Sequence, residues 1–169
     1  MSIKILQSLF AQKSWANMKL FPVVASMSAL EASSQQNTII EILHHVYIVD
    51  RIFRAHLLGH EHEYTTTNTK PTPDLTVLQN AVAENDDWFE KYLASISESS
   101  LAQEISFHFT DGDRGTMTRE EMLFHLITHG AWHRGEVGQI LESILIPSPP
   151  DSLTKFLHAT EPERRRLAL

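Results

Sequence analysis

The chain contains no cysteine, which excludes disulfides and thiolate metal sites and leaves histidine and the carboxylates as its good metal ligands. It also lacks an excess of positive charge: Lys and Arg total 14 against 21 Asp and Glu. The one dense basic cluster, Arg164, Arg165 and Arg166, stands at the end of the chain behind Glu161 and Glu163. A nucleic-acid groove needs phosphate-neutralising side chains on the folded body, so no nucleic-acid partner is expected. No run approaches the ~20 apolar residues of a membrane span. The opening MSIKILQSLFAQKSWANMKL interrupts its apolar residues with Lys, Gln and Asn too often for a secretory signal. No membrane partner and a cytoplasmic location are therefore expected. Internal repeats and low-complexity tracts are absent as well. With 169 residues, 42% of them hydrophobic, the chain can bury one sizeable core, and a single domain over 1–169 is expected.

What the sequence does contain is helical periodicity. Ile3, Leu6, Leu9 or Phe10, Met18, Phe21, Val24 and Met27 or Ser28 recur along one side of a first helix, with Pro22 as a point of kinking. A second helix is capped at Ser33 or Ser34 and stops at Gly59. HEHEYTTTNTKPTPD has no period and reads as a crossover too long for a tight helical hairpin. Leu75, Leu78, Val82, Phe89, Tyr92 or Leu93 and Ile96 mark a third helix. In EISFHFTDGDRGTMT, Ile105, Phe107 and Phe109 alternate with polar residues around Asp111-Gly112, the pattern of a short β-hairpin. Thr118 with Glu121 forms a capping box that starts a fourth helix, running to about Leu145 and ended by Pro147, Pro149 and Pro150. Residues from Ser152 to His158 suggest one more short helix before a solvated Arg-rich tail. The fold class is all-α: a four-helix bundle with a long crossover and a short hairpin before the last long helix. In such a bundle, metal sites are built from side chains on facing helices.

Three of the pairs among the ten histidines lie four residues apart: His56 with His60, His125 with His129, and His129 with His133. Random placement gives about half such a pair. A metal site and a set of surface or hydrogen-bonded histidines both remain open on spacing alone. Direction is more informative. At about 100° per residue, Met122, His129, His133 and Ile140 fall on one arc, flanked by Leu126 and Val137. His125 lies further round, beside Glu136 and toward Trp132, and is the weaker ligand. On the second helix the apolar face centres on Ile42, Val46, Val49, Phe53 and Leu57. His45 borders that face while His44 points away with Arg51, so His45 is the natural third ligand and His56 the fallback. Asp50 borders the core on the other side, as an acceptor behind a ligand or as half of an interhelical salt bridge.

SWANMKL, LHHVYIVDRIF and HLITHGAWHRGEVGQIL, in that order, together resemble the DinB family of DinB/YfiT-like metalloenzymes over nearly the whole chain. The resemblance implies a four-helix bundle, a homodimer, and a divalent ion bound by a histidine ahead of Asp-Arg on the second helix and two histidines four apart ending in His-Arg-Gly. Those positions are His45, His129 and His133, the same three that the projection selects. Family members commonly read His-Arg-Gly-Gln, whereas this chain has Glu136. That carboxylate is the candidate catalytic residue, acting on metal-bound water, or else a solvated helix residue.

Arg134 projects into the apolar face and is expected to pair with a carboxylate or backbone oxygens. Gly130 and Gly135 are expected to allow close packing or space beside the ion. Trp15, Trp88 and Trp132 read as core or interface residues. Neutral imidazoles suit zinc, nickel, iron and copper alike; the expected cofactor is a divalent ion, zinc or nickel first, with iron, manganese or copper as alternatives. Three such ligands leave open positions, as catalytic sites do. Gly130 stands where the His-Glu-x-x-His protease motif carries Glu, which argues against that chemistry. The expected function is a metal-dependent hydrolase or, by the resemblance, a thiol transferase acting on a small-molecule substrate. A non-catalytic metal-binding or dimeric stress-related scaffold is the alternative.

Overall fold

The computed structural model describes residues 2–27 and 29–164, with the backbone alone for 29–33. Among these residues are five α-helices, α1 (Ile3–Ala25), α2 (Ala29–Leu58), α3 (Leu75–Ser95), α4 (Arg119–Ser143) and α5 (Leu153–Thr160). One antiparallel pair, β1 (Glu104–His108) and β2 (Arg114–Thr118), precedes α4. The chain is therefore mostly helical with one small hairpin, and no helix among the described residues is long and apolar enough to cross a membrane. Ser28 and the tail beyond Arg164 lie outside the described residues.

Local chemistry accounts for most helix ends. Ser2, Asp74 and Ser152 cap α1, α3 and α5 through their side chains. Thr118 and Glu121 make the expected reciprocal box on α4. α2 starts at Ala29, so the expected caps Ser33 and Ser34 lie inside the helix. Polar residues this close to a helix start resemble caps in sequence even when the chain enters the helix a turn earlier. α1 continues through Pro22 to Ala25. α4 ends at Ser143, ahead of the prolines, because Leu145 takes a left-handed φ of 61° and Ile146 N–H returns to Leu141 O. In the hairpin Phe107 pairs with Gly115. A Cβ at Gly115 would lie 2.7 Å from Phe107 Cζ, so only glycine lets that ring lie flat across the strands.

The apolar core is divided into two clusters. One joins Leu6, Phe10, Val49, Phe89, Leu93, Met122 and Leu126, and the other Leu20, Val24, Ile39, Leu43, Leu78, Val137 and Leu141. Along α1, α3 and α4 the residues between the two clusters include buried polar ones, Lys13 and Asn17, Asn85 and Asp86, and Arg134, and on α2 the buried Asp50 directly follows Val49 of the first cluster. Met18, expected on the buried side of α1, is 62% exposed. The inward positions of that turn belong to Lys13 and Asn17, which reach carboxylates across the core.

Candidate metal centre

Lys13 is 1% exposed, and its ammonium donates to Asp50 Oδ2 at 2.7 Å and to Asp86 Oδ1 at 2.5 Å. Asn17 Nδ2 donates to the other Asp86 oxygen at 2.7 Å. Burial alone lowers the Lys13 pKa, but the charges of Asp50 and Asp86 outweigh it and the net shift is upward. Burial likewise pushes Asp50 up to about 6 against the pull of Lys13. Asp50 is thus the interhelical ion pair of the two roles open to it. Arg134 pairs as expected, its Nε and Nη2 donating to the two oxygens of Asp151 at 2.7 and 3.2 Å. Gly130 accommodates these groups: a Cβ there would lie 3.1 Å from Arg134 Nη1 and 3.6 Å from Lys13 Cε. Gly135 has open space instead and is not needed for packing.

At the edge of this polar layer His45 of α2 meets His129 and His133 of α4. One ligand atom from each lies within 4.8 Å of the others, the one such group among the described residues. His45 Nε2 is 3.1 Å from His129 Nε2. The Thr67 carbonyl lies 3.1 Å from His45 Nδ1 and can only accept, so Nδ1 carries the proton and the Nε2 lone pair points into the cluster. His133 is oriented in the same way, its Nδ1 lying 3.0 Å from Glu136 Oε2. His129 Nδ1 is buried with no partner.

The residues fit a divalent cation. Two nitrogens each 2.0–2.1 Å from one tetrahedral ion stand about 3.3 Å apart, close to the observed His45–His129 separation. Without a cation, one of those facing nitrogens has to carry a proton. Burial first, then His133, His45, His125 and Lys13 nearby, hold His129 down to about 3. Burial also lowers His45. Both imidazoles are neutral near pH 7, the protonation state a metal ligand requires.

The other candidates stay outside this group. His44 stacks on Tyr47, with ring centroids 6.5 Å apart. His125 lies against Phe53 at 4.8 Å and His129 at 5.4 Å, so it faces inward rather than toward Trp132. His56 packs on Phe53 and Phe107, away from the triad. Trp15 meets Phe156 edge to face and Trp88 stacks on Tyr92, whereas Trp132 is 77% exposed and has no place in the core.

A family model for DinB matches residues 1–165. The chain belongs to the DinB family. No curated protein matches it. In this DinB-family protein the three histidines are accompanied by groups that the sequence did not suggest. The crossover lies along α2 and supplies the Thr67 carbonyl, while Thr72 Oγ1 donates to Glu41 Oε1 at 2.9 Å. Beside His45 and His133 opens a depression of about 310 Å³, also lined by Thr38, Glu41, Asn68 and Glu136. A backbone carbonyl has no sequence signature, and Thr67 and Asn68 sit in a segment whose path no periodicity predicts.

Proposed function

We propose that this DinB-family protein binds one divalent ion through His45, His129 and His133, zinc or nickel ahead of iron, manganese or copper, and acts on a small molecule by hydrolysis or thiol transfer. The observation that carries this reading is the depression beside the triad, which opens onto His45 and His133 rather than sealing them. Three protein ligands beside an open cavity are the mark of a catalytic site, whereas structural ions are closed by four. An ion so held supplies Lewis acidity, drawing the pKa of a water or thiol toward neutrality.

The protein's own residues do the rest. Thr67 and Glu136 fix the tautomers of His45 and His133. Glu136 keeps its second oxygen free and is 48% exposed, so Oε1 can take a proton from a reacting water or thiol at the edge of the cavity. Asn68 and Thr38 offer hydrogen bonds to a substrate, and Ile42 gives it an apolar wall. The four long helices correspond in this reading to the DinB/YfiT-like four-helix bundle as a single domain, in the cytoplasm.

A second copy of the chain is the proposed partner. Met18 and Ile5 on α1, with Phe124 and Trp132 on α4, are large apolar side chains left exposed. These surfaces support the scaffold alternative equally, so turnover decides between the two. The untagged chain, stripped of metal and reloaded with Zn²⁺ or Ni²⁺, is assayed on small esters and amides and on small electrophiles with low-molecular-weight thiols. Metal-dependent turnover that disappears in His129→Ala supports the enzyme. A fully loaded protein with no turnover on any of them supports the scaffold.

A further inference from the structure

A second cluster of imidazoles lies at the other end of a chain of ring contacts. From His129 the contacts pass to His125 at 5.4 Å, Phe53 at 4.8 Å and His56 at 5.8 Å. His56 lines a cavity of about 430 Å³ between the end of α2, the start of the crossover and the hairpin, together with His60, His62, Tyr64, Phe107 and His108. His56 is only 9% exposed and packs against Phe53, His62 and Phe107. His62 Nδ1, facing His56, is buried and unpartnered. A buried polar atom without a partner is costly unless something else satisfies it.

We propose that this cavity is a second site for a divalent transition-metal ion, held by His56 and His62 and completed from the rim by His108 or His60. The His56–His62 ring centroids are 5.1 Å apart with planes at 65°. Within the triad the corresponding values are 4.6 to 5.1 Å and 55° to 72°. The His125–His129 pair has a similar spacing, but its planes lie at 26°, so those rings stack instead of converging on a point. No Lys or Arg lines the cavity among the described residues, and Glu61 does. Burial, with His62 and His108 beside it, holds His56 down to about 4, which keeps it neutral and ligand-competent at pH 7.

The fold explains why His62 rather than His60 meets His56. α2 ends at Leu58, Gly59 takes a φ of 69°, and His60 N–H returns to Ala55 O. The chain reverses there, so the four-residue spacing of His56 and His60 is not a helical one. His56 and His62 face each other without a third ligand atom already beside them, as only the triad has among the described residues, so this site holds an ion less firmly and fills second.

Zn²⁺ titration of the untagged, metal-stripped full chain against a chromophoric chelator tests the proposal. Two equivalents are expected per chain, the second at least ~10-fold weaker than the first. His62→Ala removes the second equivalent and keeps the first, which also reports that the variant is folded. His129→Ala does the reverse. Should His62→Ala lose both, the double variant His60→Ala/His108→Ala, two exposed positions, decides: selective weakening of the second equivalent supports the site, and no change overturns it. A single equivalent in the parent chain, or a second one undiminished in folded His62→Ala, as adventitious surface histidines would give, overturns it as well.

Discussion

His45 Nε2 and His129 Nε2 face each other at 3.1 Å although the two residues are 84 positions apart in the chain. Each is placed by its helix and kept neutral by burial. His45 is further oriented by a carbonyl from the crossover. The arrangement costs the protein a buried, unpartnered His129 Nδ1. Facing nitrogens at this separation are what a shared cation would bridge.

Glu136 gives a prediction with two separable parts. Glu136→Gln keeps an oxygen to accept from His133 Nδ1 but loses the basic carboxylate, so bound metal should be nearly unchanged while turnover falls by about a hundred- to ten-thousand-fold. Glu136→Ala removes the acceptor as well, and metal affinity should drop by about 10- to 100-fold. Metal content and steady-state rates measured on the same preparations check both. Equal rates for the parent and Glu136→Gln would reduce Glu136 to a solvated neighbour.

Lys13 holds two buried carboxylates on two other helices. Lys13→Met should destabilise the protein by about 3–5 kcal/mol, because it leaves Asp50 and Asp86 without their shared counterion. Urea unfolding at pH 7 measures this, and a loss below ~1 kcal/mol would show that the network is dispensable.

The triad was legible in the sequence and this network was not, for a physical reason. His129 and His133 share a helix, so their common direction follows from 100° per residue. His45 was found because it borders an unbroken apolar face. Lys13 and Asn17 carry no such local signal, since their partners lie 37 to 73 positions away and only tertiary packing brings them together. His56 was chosen as a fallback ligand for the triad on the same directional argument. Phe53 and His125 separate it from that site, and the reversal at Gly59 gives it His62 as a neighbour.

Gly115→Ala tests the hairpin. The added Cβ meets Phe107 Cζ at 2.7 Å and Phe109 Cε2 at 2.8 Å, so the Phe107 ring must move off His56. A loss of about 1–3 kcal/mol is expected, read as a lower thermal midpoint. An unchanged midpoint would mean that the rings relax freely.

Acid should destabilise the metal-free protein. His129 and His56, held down to about 3 and about 4, stay neutral in the folded chain while the unfolded chain takes up their protons below about 6.5. Their contribution is complete above that pH and is lost progressively as pH falls toward 4. Asp50, pushed up to about 6, acts in the opposite sense between about 6 and its ordinary value, because the folded state then gains a proton first. Two histidines against one carboxylate leave a net loss, so the urea midpoint should fall from pH 7 to pH 5, and less so in His56→Gln. A midpoint that rises on acidification would reverse the assignment.

Metal content after exhaustive dialysis of the untagged chain decides whether His45, His129 and His133 share one ion. One tightly held equivalent is predicted for the parent chain and for His44→Ala, with its loss in each of His45→Ala, His129→Ala and His133→Ala. Retention of that equivalent in any of those three, or its equal loss in His44→Ala, would contradict the site.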